Sequence, residues 1–152
     1  ITTSEFNSRG TTSVITDWKT GRQVHCLSQS EALWYYVLRW RDDIADIREQ
    51  YPLDNIQTTM IAEQLGFRHP GKKDHVMTTD FLATKTDGSY TAYSVKPDKR
   101  LSERTLQLLC IEKIYWKNND VPFQMLFKDE VNMILANNIR LVTEFYDESK
   151  VL

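Results

Sequence analysis

The chain has 152 residues, 41% hydrophobic and 26% charged, which suits one soluble domain with a buried core. Its formal charge of −2 excludes a global basic field that would hold nucleic acid unaided. No secretory apolar segment and no bilayer-length apolar run occurs, so a cytoplasmic location without membrane contact is expected.

Residues 1–13 are polar and read as an irregular N-terminal arm, with 14–152 forming a single domain. Thr20-Gly21 marks a turn between two short strands, Ser13–Trp18 and Arg22–Leu27. Ser28 and Glu31 form a capping box that opens a helix ending near Arg41. Leu33, Val37 and Trp40, with Tyr36 beside them, mark its apolar stripe, and Arg39, Arg41 and Asp42 its solvent side. Ile44–Leu53 reads as a strand ended by Pro52. Asp54 and Gln57 suit a second capping box, for a helix over 55–65 stopped by Gly66.

Phe67 to His75 is the densest basic loop, with Arg68, His69, Lys72, Lys73 and His75. A hairpin follows, 77–84 and 90–96, turning at Asp87-Gly88. A second basic turn holds Lys99 and Arg100. Ser102 caps a long helix to about Asn118, whose spread of apolar residues predicts packing on more than one side. Phe123–Phe127 is nearly all apolar and reads as a central buried strand. Asp129–Asn137 reads as a helix, and Ile139–Phe145 as a final strand or helix. This alternation predicts an α/β fold with a mixed central sheet flanked by helices. Cys26 and Cys110 share no metal-ligand or CxxC spacing and are expected to be buried reduced thiols.

The 77–96 hairpin carries the chemistry. Asp80 lies in its first strand, and Ser94-Val95-Lys96 ends the second. This is close to Pro-Asp, a gap, then (Asp or Glu)-x-Lys, the pattern of metal-dependent nucleases of the restriction-endonuclease type, with Ser94 standing where the pattern carries an acid. Taken alone it is generic. A phosphodiesterase needs a divalent cation to neutralise charge at phosphorus and to lower the pKa of a bound water. A few carboxylates and a carbonyl suffice for Mg²⁺, which keeps several waters. Asp80 and the Val95 carbonyl suit the ion, and Lys96 suits the attacking water or the developing charge. Glu31 is a candidate second carboxylate, with the helix cap as its plainer role. Glu112 is an acid in a broadly apolar helix, and its spacing leaves a site-rim role and a paired structural role both open.

Several stretches in one order resemble the TnsA-like transposon endonucleases, members of the PD-(D/E)xK superfamily. They are Lys19-Thr20-Gly21-Arg22, Leu27 to Glu31, Asp46 to Leu53, His69-Pro70, Val76 to Leu82, Ser94 to Pro97 and Glu103 to Leu106, with Glu112 and Tyr115-Trp116 downstream. The resemblance covers about residues 14–140. It implies a restriction-endonuclease-like fold. It also implies Glu31, Asp80 and Lys96 as catalytic residues, and Mg²⁺, with Mn²⁺ as substitute, on Glu31, Asp80 and Val95. The position two before the lysine, usually Gln in this family, is Ser94. The implied reaction is cutting of DNA at the 5′ ends of a transposon, beside a TnsB-like transposase and a TnsC-like ATPase regulator. The family commonly adds a C-terminal winged-helix domain that this length does not accommodate, as expected of a fragment, a short member or the front of a fusion. Arg68, His69, Lys72, Lys73, Lys99 and Arg100 flank the site and are the expected DNA contacts. A stand-alone restriction- or repair-type nuclease, and a non-catalytic assembly module on the same fold, are the alternatives.

Overall fold

Residues 12–71 and 75–145 are described by the computed structural model. Most of the expected arm lies outside them, and Ser13 already opens a strand. β1 (Ser13–Thr16) and β2 (Gln23–Cys26) pair antiparallel. Gly21 turns the chain between them at φ 76°, a left-handed conformation that costs glycine little.

α1 (Gln29–Trp40) starts as expected, the Ser28 hydroxyl accepting from the Glu31 amide at 3.1 Å. Its buried side is not the expected stripe. Leu33 is buried, but so are Tyr35, Leu38 and Arg39, while Trp40 is 45% exposed. Asp17 causes the difference. Arg39 Nε lies 2.6 Å from Asp17 Oδ2 in a buried ion pair, and the Tyr35 hydroxyl donates to the same carboxylate. Arg39 also donates to the carbonyls of Ile44 and Ala45. Burial pushes the Asp17 carboxyl up, but hydrogen bonds from Arg39, Tyr35 and the Lys19 and Thr20 amides outweigh it, holding the group well below the usual carboxylate range.

The main sheet runs in the order β3 (Ile44–Pro52), β4 (Thr78–Lys85), β5 (Tyr90–Lys96), β6 (Phe123–Phe127). The first two pairings are antiparallel and the last is parallel. A parallel step needs a crossover, and α3 (Glu103–Asn118) supplies it. β6 therefore sits at the sheet edge rather than at its centre, and within it only Leu126 is buried. Its apolar run looked central because one face meets α1 while α3 crosses near the other; no strand covers its outer side among the described residues.

α1 and the β1–β2 pair cover one face of this sheet through Ile15, Val24, Tyr35, Leu38, Ile47, Phe81 and Tyr93. α2 (Asn55–Leu65) and α3 cover the other through Ile61, Leu82, Ala92, Ile111 and Trp116. Asp54 caps α2 as expected and Gly66 ends it at φ 72°. Gln57 bonds the Asp54 carboxylate rather than its amide, which donates to the Tyr115 hydroxyl. α3 packs on one side rather than two: Ile111, Glu112, Tyr115 and Trp116 are buried, while Leu106 and Cys110 are exposed. Cys26 is buried as expected; Cys110 is not. A 3-10 turn, Lys128–Glu130, then leads into one helix, α4 (Met133–Phe145), where the sequence reading broke the segment near Asn137. Ala136, Ile139 and Thr143 are buried at spacings of three and four, which is one continuous helical face rather than a strand's alternation. Among the described residues no helix is long and apolar enough to cross a membrane.

Candidate active site

Two irregularities in β3 shape the site. A register shift between Ile44 and Asp46 lets Ile44 and Ile47, three residues apart, enter the same core. Further on, Gln50 takes φ 50°, in the left-handed region that costs a non-glycine residue about 1–2 kcal/mol. Across Gln50 the strand changes faces. Glu49 bonds Arg22 and the His25 amide beside β2, whereas Tyr51 packs near Trp116 of α3. β4 does the same opposite it: Phe81 packs on Tyr35 of α1, and Thr79 bonds α3. Asp80 lies between those two residues.

The β4–β5 ladder pairs Phe81 with Tyr93 at its end nearest the site. Beyond it the Asp80 carboxylate replaces a backbone partner: Oδ2 accepts from the Val95 amide at 2.7 Å and from the Ser94 hydroxyl at a long 3.5 Å. Among the described residues Asp80 Oδ1 accepts no hydrogen bond. Burial pushes the Asp80 carboxyl above its usual range, against the Val95 amide and Lys96, which lower it.

Glu31 sits in the first turn of α1 and is only 7% exposed. Its carboxylate is not used up as a helix cap. Oε1 accepts from Gln50 Nε2 at 2.9 Å, while the contacts to the Leu27 amide and Ser28 hydroxyl are 3.5 and 3.4 Å. Burial first, and the Asp80 charge second, push this carboxyl up to about 7. The Asp80 charge is thus felt at Glu31, which places the two carboxyls in one electrostatic neighbourhood.

Glu112, whose role the sequence left open, joins them from α3. The Thr79 hydroxyl donates to its Oε2 at 2.6 Å and accepts from Trp116 Nε1 at 2.8 Å. Burial pushes Glu112 up to about 8; Thr79 and Lys96 oppose this and Asp80 adds to it. Lys96 ends β5, and its side chain forms no hydrogen bond or ion pair among the described residues, so its ammonium is free to act on all three acids. Lys96 and Glu112 line a cleft of about 220 Å³ with Thr105, Met77, Thr78 and His75.

Residues 41–127 match the family model described as TnsA-like endonuclease N terminal. The chain belongs to this family. It is 38% identical over 144 residues to the transposon Tn7 transposition protein TnsA of Escherichia coli, covering 91% of this chain and 53% of that protein. It thus spans about half the length of the curated relative it matches. The stretch that matches the TnsA-like model holds Gln50, Asp80, Val95, Lys96 and Glu112; Glu31 precedes it.

The donor chemistry is that of a hard cation: two carboxylates, Glu31 and Asp80, the latter with one oxygen open among the described residues. Among the described residues no three His, Cys, Asp or Glu side chains gather tightly enough to hold a metal. That leaves the rest of any coordination shell to the backbone and water. The expected DNA contacts fare unevenly. Arg68 is exposed. His69 turns its ring to the Thr58 hydroxyl at 2.9 Å. Lys99 pairs with Glu130 at 3.2 Å and Arg100 with Asp98 at 3.0 Å. Lys72 and Lys73 lie outside the described residues. Sequence reasoning missed Gln50 as a site residue. No periodicity marks it; only the left-handed backbone and the contact to Glu31 do.

Proposed function

We propose that this TnsA-like chain is the metal-dependent DNA endonuclease domain of a heteromeric transposase and cuts at the 5′ ends of the transposon. The observation that carries the reading is Asp80, held by the Val95 amide at 2.7 Å, with its charge felt at Glu31 and with Lys96, whose side chain is unpaired among the described residues, acting on both carboxyls. Glu31, Asp80 and the Val95 carbonyl would hold Mg²⁺, or Mn²⁺ in its place. The N–H and C=O of a strand residue point to the same side, so the Val95 amide bond to Asp80 supports the carbonyl as a ligand on that side. The ion, when bound, neutralises phosphate charge and lowers the pKa of a bound water. Lys96 orients the attacking water or donates to the phosphoryl oxygen on which negative charge grows. Water oxygen bonds to phosphorus, the bond to the 3′ oxygen breaks, and that oxygen takes up a proton. The products are a 5′-phosphate and a 3′-hydroxyl.

Lys99 and Arg100 are paired with acids, and the chain is net negative. The absence of a net basic charge favours a nuclease seated by a partner over a stand-alone enzyme. That partner would be a TnsB-like transposase, with a TnsC-like ATPase as regulator and transposon-end DNA as substrate. Arg68 is the exposed cation we assign to a phosphate. Nicking of labelled transposon-end DNA by the reconstituted complex tests the proposal. Wild type should cut and Asp80→Ala should not; cutting by Asp80→Ala at the wild-type rate sinks it.

A further inference from the structure

Gln50 sits inside a strand, yet its backbone is left-handed at φ 50°. Glutamine has no local hydrogen bond that compensates this conformation, unlike Asn or Asp, so something else must hold it. Its side chain shows what. Nε2 donates to Glu31 Oε1 at 2.9 Å, while the Thr78 hydroxyl approaches Oε1 of Gln50 only to a long 3.5 Å. The left-handed turn is also where β3 changes faces, Glu49 bonding the Arg22 side and Tyr51 the α3 side. An unbroken extended strand would carry residue 50 past Glu31 on the ordinary alternation.

We propose that Gln50 is a positioning residue for the site: its strained backbone aims a side-chain amide at Glu31 and fixes one carboxylate oxygen, leaving the other to face the cation. This rests on the reading of Glu31 and Asp80 as a metal site. The remaining contacts to Glu31, at 3.4 and 3.5 Å, are too long to orient it as firmly. The donor is neutral, so it orients the acid without competing for its charge as a lysine or arginine would.

Two variants separate positioning from folding. Gln50→Gly accepts the left-handed backbone and has no side chain. Gln50→Asn also tolerates that backbone and keeps the amide, but is one methylene too short to reach Glu31. Mn²⁺ affinity of the 152-residue chain is measured by calorimetry, and the melting temperature by scanning calorimetry in chelator. Both variants should melt within a few degrees of wild type and bind Mn²⁺ at least tenfold more weakly. Binding by Gln50→Gly within twofold of wild type overturns the proposal, because it makes the amide dispensable. Glu31→Gln, run in parallel, tells which reading failed. If it binds weakly while Gln50→Gly binds normally, only the positioning role falls. If it too binds normally, the metal site itself is wrong.

Discussion

Glu112 gives the sharpest prediction about stability. Its carboxyl is buried, and burial raises it from the usual 4.5 to about 8. A raised carboxyl keeps its proton in the folded state after the unfolded chain has lost it. Between pH 4.5 and about 8, unfolding therefore releases a proton, and stability falls as pH rises. The contribution is fully present below about pH 4.5, is lost as pH climbs through about 8, and is flat beyond. At ~1.4 kcal/mol per pH unit, the difference is roughly 5 kcal/mol, comparable to the whole stability of a marginal domain. Gln has the shape of the protonated acid and still accepts from the Thr79 hydroxyl. Glu112→Gln should match wild type at pH 5 and exceed it by several kcal/mol at pH 9. Urea unfolding in chelator checks this, followed by the fluorescence of Trp116, which shares the Thr79 hydroxyl. A stability gap between the two proteins that stays constant from pH 5 to pH 9 refutes the reasoning.

The remaining predictions concern other parts of the chain. Asp17→Ala strands the Arg39 guanidinium in the core, and should cost about 3–5 kcal/mol by chemical denaturation. Lys96→Met should leave the melting temperature near wild type, since the ammonium has no ion pair among the described residues, while abolishing nicking in the reconstituted complex. In the folded protein a maleimide should label Cys110 quickly and Cys26 only on unfolding, because burial pushes the Cys26 thiol up to about 12. Mass spectrometry of the labelled peptides reads that difference.

Local chemistry was legible without coordinates. Ser28, Asp54 and Ser102 cap their helices because their side-chain oxygens bond exposed amides within three residues. Gly66 and Asp87-Gly88 end elements for equally local reasons. The hairpin holding Asp80 and Lys96 could be read from turn signals and β-propensity, and so could the closeness of Asp80 to the Val95 backbone. Patterns that depend on distant partners were misread. Arg39 looked solvated because nothing near it in sequence announces Asp17, 22 residues away. β6 looked central because composition reports apolarity but not how many neighbours a strand finds.

The site divides the same way. The sequence by itself determined which acids and which lysine were available and on which elements they ride. Only the tertiary structure decided that Glu31 turns from its cap toward Gln50, that Glu112 reaches Thr79, and that Asp80 faces them both electrostatically. The reason is physical. Caps and turns are set by bonds within a few residues, whereas a carboxyl's protonation depends on what burial and distant charges surround it. Gln50 shows the limit most plainly: a left-handed glutamine within a strand has no local cause, and it becomes intelligible only through Glu31, 19 residues earlier.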